Sequence, residues 1–69
     1  MDQELVVGQR VFVNSALGQV ERIVVGIHGE VVAICRPEEY RRAKMERREP
    51  LSVGFPLADV VSVGATGGG

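Results

Sequence analysis

Six of the eight Lys and Arg residues of this chain fall in one stretch, Arg36 to Pro50, which reads RPEEYRRAKMERREP. Guanidinium forks match the paired oxygens of carboxylates and phosphates, so the chemistry open to this stretch is anion binding. Glu38, Glu39, Glu46 and Glu49 share the stretch and blunt a purely electrostatic hold on nucleic acid. Wound as a helix at about 100° per residue, Arg41, Lys44, Arg47 and Arg48 fall on one side with Tyr40 among them. The glutamates fall on the other side with Arg42, and Ala43 and Met45 lie at the borders. No broad apolar stripe results, so this is not a core helix. Two readings follow. The arm is a solvated helical insertion anchored by Tyr40, or it presents Tyr40, Arg41, Lys44, Arg47 and Arg48 to a partner, an acidic protein ahead of RNA or DNA. A third, a long hairpin extending the flanking strands, is opposed by Pro37 and Pro50 near its base.

Other residues with chemical potential have plainer roles. His28 stands beside Gly29 in a tight turn and is read as a turn residue rather than a general base. Cys35 ends a buried strand with no His nearby in sequence, which makes it a small core side chain, not a nucleophile. As the sole cysteine it forms no intramolecular disulfide and no cysteine-cluster metal site. Asp59 is expected to cap a short turn through a side chain to backbone bond. The terminal glycines form no phosphate loop, because no strand-to-helix turn with Lys follows them. No cofactor or metal site is expected.

The elements that would hold these residues are short strands. Gln9–Asn14 alternates Val11 and Val13 with Arg10 and Phe12, and Asn14, Ser15 and Gly18 make a loop. Gln19–Ile27 is a second strand whose apolar phase slips between Val20 and Ile23, which calls for a bulge near Glu21 and Arg22. His28-Gly29 turns the chain into Glu30–Arg36, apolar on both faces and therefore central. The arm starts as a helix with Pro37 at its first position and Glu38 and Glu39 against the dipole. Glu38 and Arg42 form an i,i+4 pair worth roughly 0.2–0.5 kcal/mol, and Pro50 ends the helix. Leu51–Phe55 alternates again, residues 57–60 make a 3-10 turn, and Val61–Val63 is the last strand. The GATGGG tail is expected to be flexible.

Sixty-nine residues make one domain with a thin core of branched aliphatics. A formal net charge of −1 argues against binding of nucleic acid by overall charge, though not by a local patch. The longest apolar runs are too short to span a bilayer. The acidic start MDQELVV lacks the basic and apolar regions of a signal peptide, so a cytoplasmic location without membrane contact is expected.

Three stretches carry a resemblance. VGQRVFV resembles the VGxxVxV opening of SH3-like domains, and LGQVERIVV resembles their G-x-V-x-x-I second strand. VGFPLADVVSV resembles an ending in which an apolar residue, Pro-Leu-x-Asp-Val and a 3-10 turn feed a short last strand. With GEVVAI between them, the last two look most like a PRC-barrel domain, and KOW and Tudor domains share the features less closely. The resemblance covers most of residues 5–64 and implies an adaptor that docks proteins or ribosomal components; the arm is its departure from the common pattern. SVGFPLADV also resembles the last-strand motif of the tetrameric type II dihydrofolate reductases at Val53 and Pro56. Gly54 stands where that motif has Gln, and Phe55 where it has Tyr, so its hydrogen-bonding groups are missing.

The expected fold is therefore mainly β: an SH3-like or PRC-barrel-like barrel of about five strands over residues 1–64, with a helical insertion at about 37–48, a 3-10 turn at about 57–60 and a flexible tail at 65–69. The expected function is a non-enzymatic interaction module for a protein partner, with an RNA- or DNA-binding barrel as the alternative. That alternative uses the same basic residues and Arg36. Exposed edge strands and a thin core also invite a homodimer.

Overall fold

In the computed structural model, which describes residues 5–62, alternation of branched side chains builds the first two walls of the core. β1 (Arg10–Ser15) buries Val11 and Val13 and turns Arg10, Phe12 and Asn14 outward. It pairs antiparallel with β2 (Gly18–His28) in unbroken register from Ser15↔Gly18 to Arg10↔Ile23. The connection is shorter than the expected loop. Only Ala16 and Leu17 lie outside the strands, and the Ser15 hydroxyl organises the turn by donating to the Gly18 carbonyl and accepting from the Leu17 N–H.

β3 (Val31–Cys35) follows through a turn centred on Gly29-Glu30, not His28-Gly29. Gly29 has φ +63° while Glu30 stays in the ordinary region, the pattern of a type II′ hairpin, which places glycine at its first central position. His28 therefore closes β2 opposite Val31. Helix α1 (Pro37–Glu46), β4 (Val53–Pro56), a 3-10 turn (Leu57–Asp59) and β5 (Val60–Ser62) complete the order. The expected Val63 of the last strand and the tail at 65–69 lie outside the described residues.

All five strands form one antiparallel sheet in the order β4-β3-β2-β1-β5. Laid flat, its two edges would stand about 19 Å apart, at roughly 4.8 Å per gap. Yet Pro56 on one edge reaches Val60 on the other through the 3-10 turn alone. Four chain steps span at most about 14 Å extended, and less at the 3-10 rise of about 2 Å per residue. The sheet must therefore curl until its edges approach, giving a barrel bridged at one end by the 3-10 turn.

The curl encloses Val11, Val13, Val24, Val32, Ile34 and Val60, with Leu5, Val20, Phe55 and Leu57 packed against them. The bulge in β2 lies between Val24 and Gly26, against β3, and not near Glu21 and Arg22. The apparent slip in the apolar phase has a different cause. Ile23 points to the outer face, opposite its neighbour Val24, and is nevertheless buried. Its cross-strand partner Cys35 is buried there too, because α1 lies against β2 on that side. Among the described residues no helix is long and apolar enough to cross a membrane.

Candidate partner-binding surface

Helix α1 forms for reasons readable in its ends. Pro37 occupies the first turn, Glu38 and Glu39 sit at the positive end of the dipole and Lys44 at the negative end. Arg36, which precedes Pro37, is extended (ψ 149°) and supplies no side-chain cap. The helix stops at Glu46, before the expected 48 and well before Pro50. Arg47 turns into the left-handed region at φ 56°. Its N–H donates to the Lys44 carbonyl and that of Arg48 to the Ala43 carbonyl, the two bonds of a Schellman motif.

Two residues seat the helix on the barrel. Ala43 is its one buried residue. Tyr40 is half-buried, and its hydroxyl reaches the turn at Gly8, where the Cβ of any larger residue would stand 3.2 Å from the phenol oxygen. Gly8 itself has φ +95°, so any other residue here would be strained, and its Cβ would press on the Tyr40 hydroxyl as well. The Gly8 N–H donates to the Val24 carbonyl at 2.7 Å, which ties that turn to β2.

The early stop of the helix redistributes the basic side chains. Lys44 lies over the Tyr40 ring, 5.3 Å from its centroid, and Arg41, Lys44 and Arg47 are exposed. Arg48 leaves that side altogether. Beyond the left-handed residue the helical winding no longer applies, and its guanidinium folds back onto Glu39 (2.6 Å) and Glu46 (2.7 Å). Glu39 also accepts the Leu51 N–H at 2.9 Å, so one carboxylate fastens both the helix exit and the approach to β4. The Arg48 guanidinium, and after it the Leu51 N–H, hold the Glu39 carboxyl well below its ordinary range, at about 2. Glu39, then Glu46, raise the pKa of Arg48 in return.

The expected Glu38–Arg42 pair does not form. Among the described residues the ion pairs are Arg10–Glu21 and the two of Arg48. Exposed i,i+4 partners gain too little to order two long side chains. Arg36, Arg41, Arg42, Lys44 and Arg47 consequently have no carboxylate partner among the described residues.

The remaining candidates settle simply. His28 is exposed at the end of β2. Cys35 is buried on the outer face, and its thiol pKa is pushed up by burial and then by Glu39, against a smaller opposing pull from Arg22. Asp59 makes no capping bond, since the backbone closes its turn, with the Val60 N–H donating to the Leu57 carbonyl. Among the described residues no three His, Cys, Asp or Glu side chains converge as a metal site.

One feature has no signature in the sequence: a groove of about 430 Å³ where β2, β3, the start of α1 and the approach to β4 meet, bordered by Arg22, Arg36, Ser52 and Val53. Its residues are scattered over a 32-residue span, from Arg22 to Val53, with no spacing to mark them. Comparison with protein-family models, with curated proteins and with solved structures finds no match to this chain.

Proposed function

We propose that this domain is a non-catalytic interaction module of the SH3-like kind, nearest in pattern to PRC-barrels. In this reading it docks an acidic protein surface on the side of α1 formed by Tyr40, Arg41, Lys44 and Arg47. The observation that carries it is the contrast within the arm. Arg48 is tied down and fixes the helix, while Arg41, Lys44 and Arg47 stand exposed without carboxylate partners on an element that contributes only Ala43 to the buried residues. Exposed cations of this kind favour specificity and fast encounter with an acidic partner. Arg48 becomes a positioning residue in this scheme rather than a contact.

Two features support the non-catalytic part. Phe55 packs against the core, and Gly54 offers no side chain, so the β4 segment lacks the donors that a reductase of the type II dihydrofolate kind would use there. Against the alternative of an RNA- or DNA-binding barrel, Lys44 covers the Tyr40 ring that a base would stack on. The test is capture from lysate with the wild type and with Arg41, Lys44 and Arg47 all changed to Glu. Loss of a wild-type partner in the variant is expected, and identical partners for both overturn the proposal. A gel shift at low salt that weakens steeply as salt rises would favour the nucleic-acid reading instead.

A further inference from the structure

The side of α1 turned away from the barrel carries one apolar residue that no described residue covers. Ala43 is the buried residue of the helix, and Met45, two positions on, points about 200° away from it. Met45 is 84% exposed, although this side chain ordinarily favours the interior. Its neighbours one turn back, three and four positions earlier, are Arg42 and Arg41. Both are exposed and without a carboxylate partner among the described residues, and so is Lys44.

The carboxylates of α1 do little to offset these cations. Glu39 and Glu46 lie along the flank that faces the helix exit, and both are held by Arg48. Glu38 is the helix carboxylate left over, and it makes no ion pair with Arg42. The outward side therefore sets Arg41, Arg42 and Lys44 against Glu38, around an exposed methionine.

We infer that the acidic partner of this face presents a segment in which carboxylates bracket an apolar side chain. That side chain packs on Met45, and the carboxylates meet Arg41, Arg42 and Lys44. The inference rests on the basic docking side proposed for α1 and moves its centre from Tyr40 to Met45. Tyr40 is half-buried and already covered by Lys44, so it offers little new contact area. An unbranched thioether adapts to apolar groups of different shapes, which suits it to an exposed contact. The cations steer and orient the partner, and the apolar contact, dried on binding, discriminates among acidic segments. An anionic lipid surface is matched less well, because its hold scales with buried apolar area and this side of α1 offers one residue.

The test uses the full chain and two fluorescein-labelled acidic peptides of equal length and charge. One carries leucine at every third position among Asp and Glu, and the other carries serine there. Fluorescence anisotropy at low salt should show the leucine peptide binding about tenfold more tightly. Met45→Ser should erase that preference and leave affinity for the serine peptide unchanged, while Met45→Leu should keep it. Met45 is exposed, so both variants retain the fold. Arg42→Gln should weaken both peptides about threefold; no weakening overturns the bracketing by Arg42. Equal affinity of the two peptides for the wild type, or a preference that survives Met45→Ser, overturns the inference and leaves the basic docking side standing. No binding of either peptide overturns both. Vesicles of phosphatidylserine that bind the wild type more tightly than the leucine peptide does, and that Met45→Ser no longer binds, assign the face to a membrane and overturn the inference as well.

Discussion

The two faces of the sheet are closed by different means. The inner face is sealed by the strands themselves, through Val11, Val13, Val24, Val32, Ile34 and Val60. The outer face near Ile23 and Cys35 is sealed by a helix that contributes one buried alanine and is held by ties at its ends. Loss of a core side chain should therefore act on the whole domain, whereas loss of a tie should act on the helix alone. Cys35 lies beside that helix at the floor of the groove, only 4% exposed, and is the one thiol of the chain, so its labelling should quicken if the cover opens.

The largest effect is expected from Ile34→Ala. Truncating this fully buried side chain should cost about 2–5 kcal/mol, enough to unfold much of a domain this small, as urea denaturation would show. Ala43→Asp places a charge in the buried contact of α1. It should accelerate thiol labelling of Cys35 at least about tenfold while the strand signal in circular dichroism persists. If Ala43→Asp instead unfolds the barrel together with the helix, the two faces are one cooperative unit and the contrast fails.

A smaller effect, and of opposite sign, belongs to Arg47. A non-glycine residue in the left-handed region costs about 1–2 kcal/mol, so Arg47→Gly should stabilise the end of α1 by about 1 kcal/mol. It should slow Cys35 labelling roughly fivefold; unchanged or faster labelling would show that the helix exit does not limit opening.

The pH response sharpens the same point. Glu39 is held at about 2, below its ordinary 4.5. A carboxylate with a depressed pKa contributes stability that is fully present above the unfolded value and is lost as pH falls through the folded one. The tie from Glu39 to Arg48 and Leu51 should thus hold at neutral pH and fail between about pH 4.5 and 2. The Leu51 amide resonance should titrate with a midpoint near 2, and Glu39→Gln should abolish that titration. A midpoint near 4.5 would mean the carboxylate is not engaged in solution.

Alternation at Val11 and Val13, glycine at the hairpins, Pro37 at a helix start and Leu57–Asp59 as a 3-10 turn were all legible, because each depends on neighbours in sequence. What was not legible depends on distant ones. Ile23 reads as a phase error until α1 covers it, and no local pattern announces that a helix about twenty residues later will do so. Arg48 reads as part of a basic stripe because left-handed helix exits usually carry glycine, and Arg47 gives no such sign. The groove joins Arg22 to Arg36 through a strand register, which is set only once both strands are aligned.

The short crossing from Pro56 to Val60 bears on how the molecule comes together. β1, β2 and β3 are joined by two-residue turns and can pair almost as soon as they exist. Val13, by contrast, meets Val60 only after the chain has gone out along α1 and returned through β4. The loop-closure entropy of the barrel is thus concentrated in one late contact, and the tight 3-10 turn limits it, because once β4 is seated β5 has almost no volume left to search.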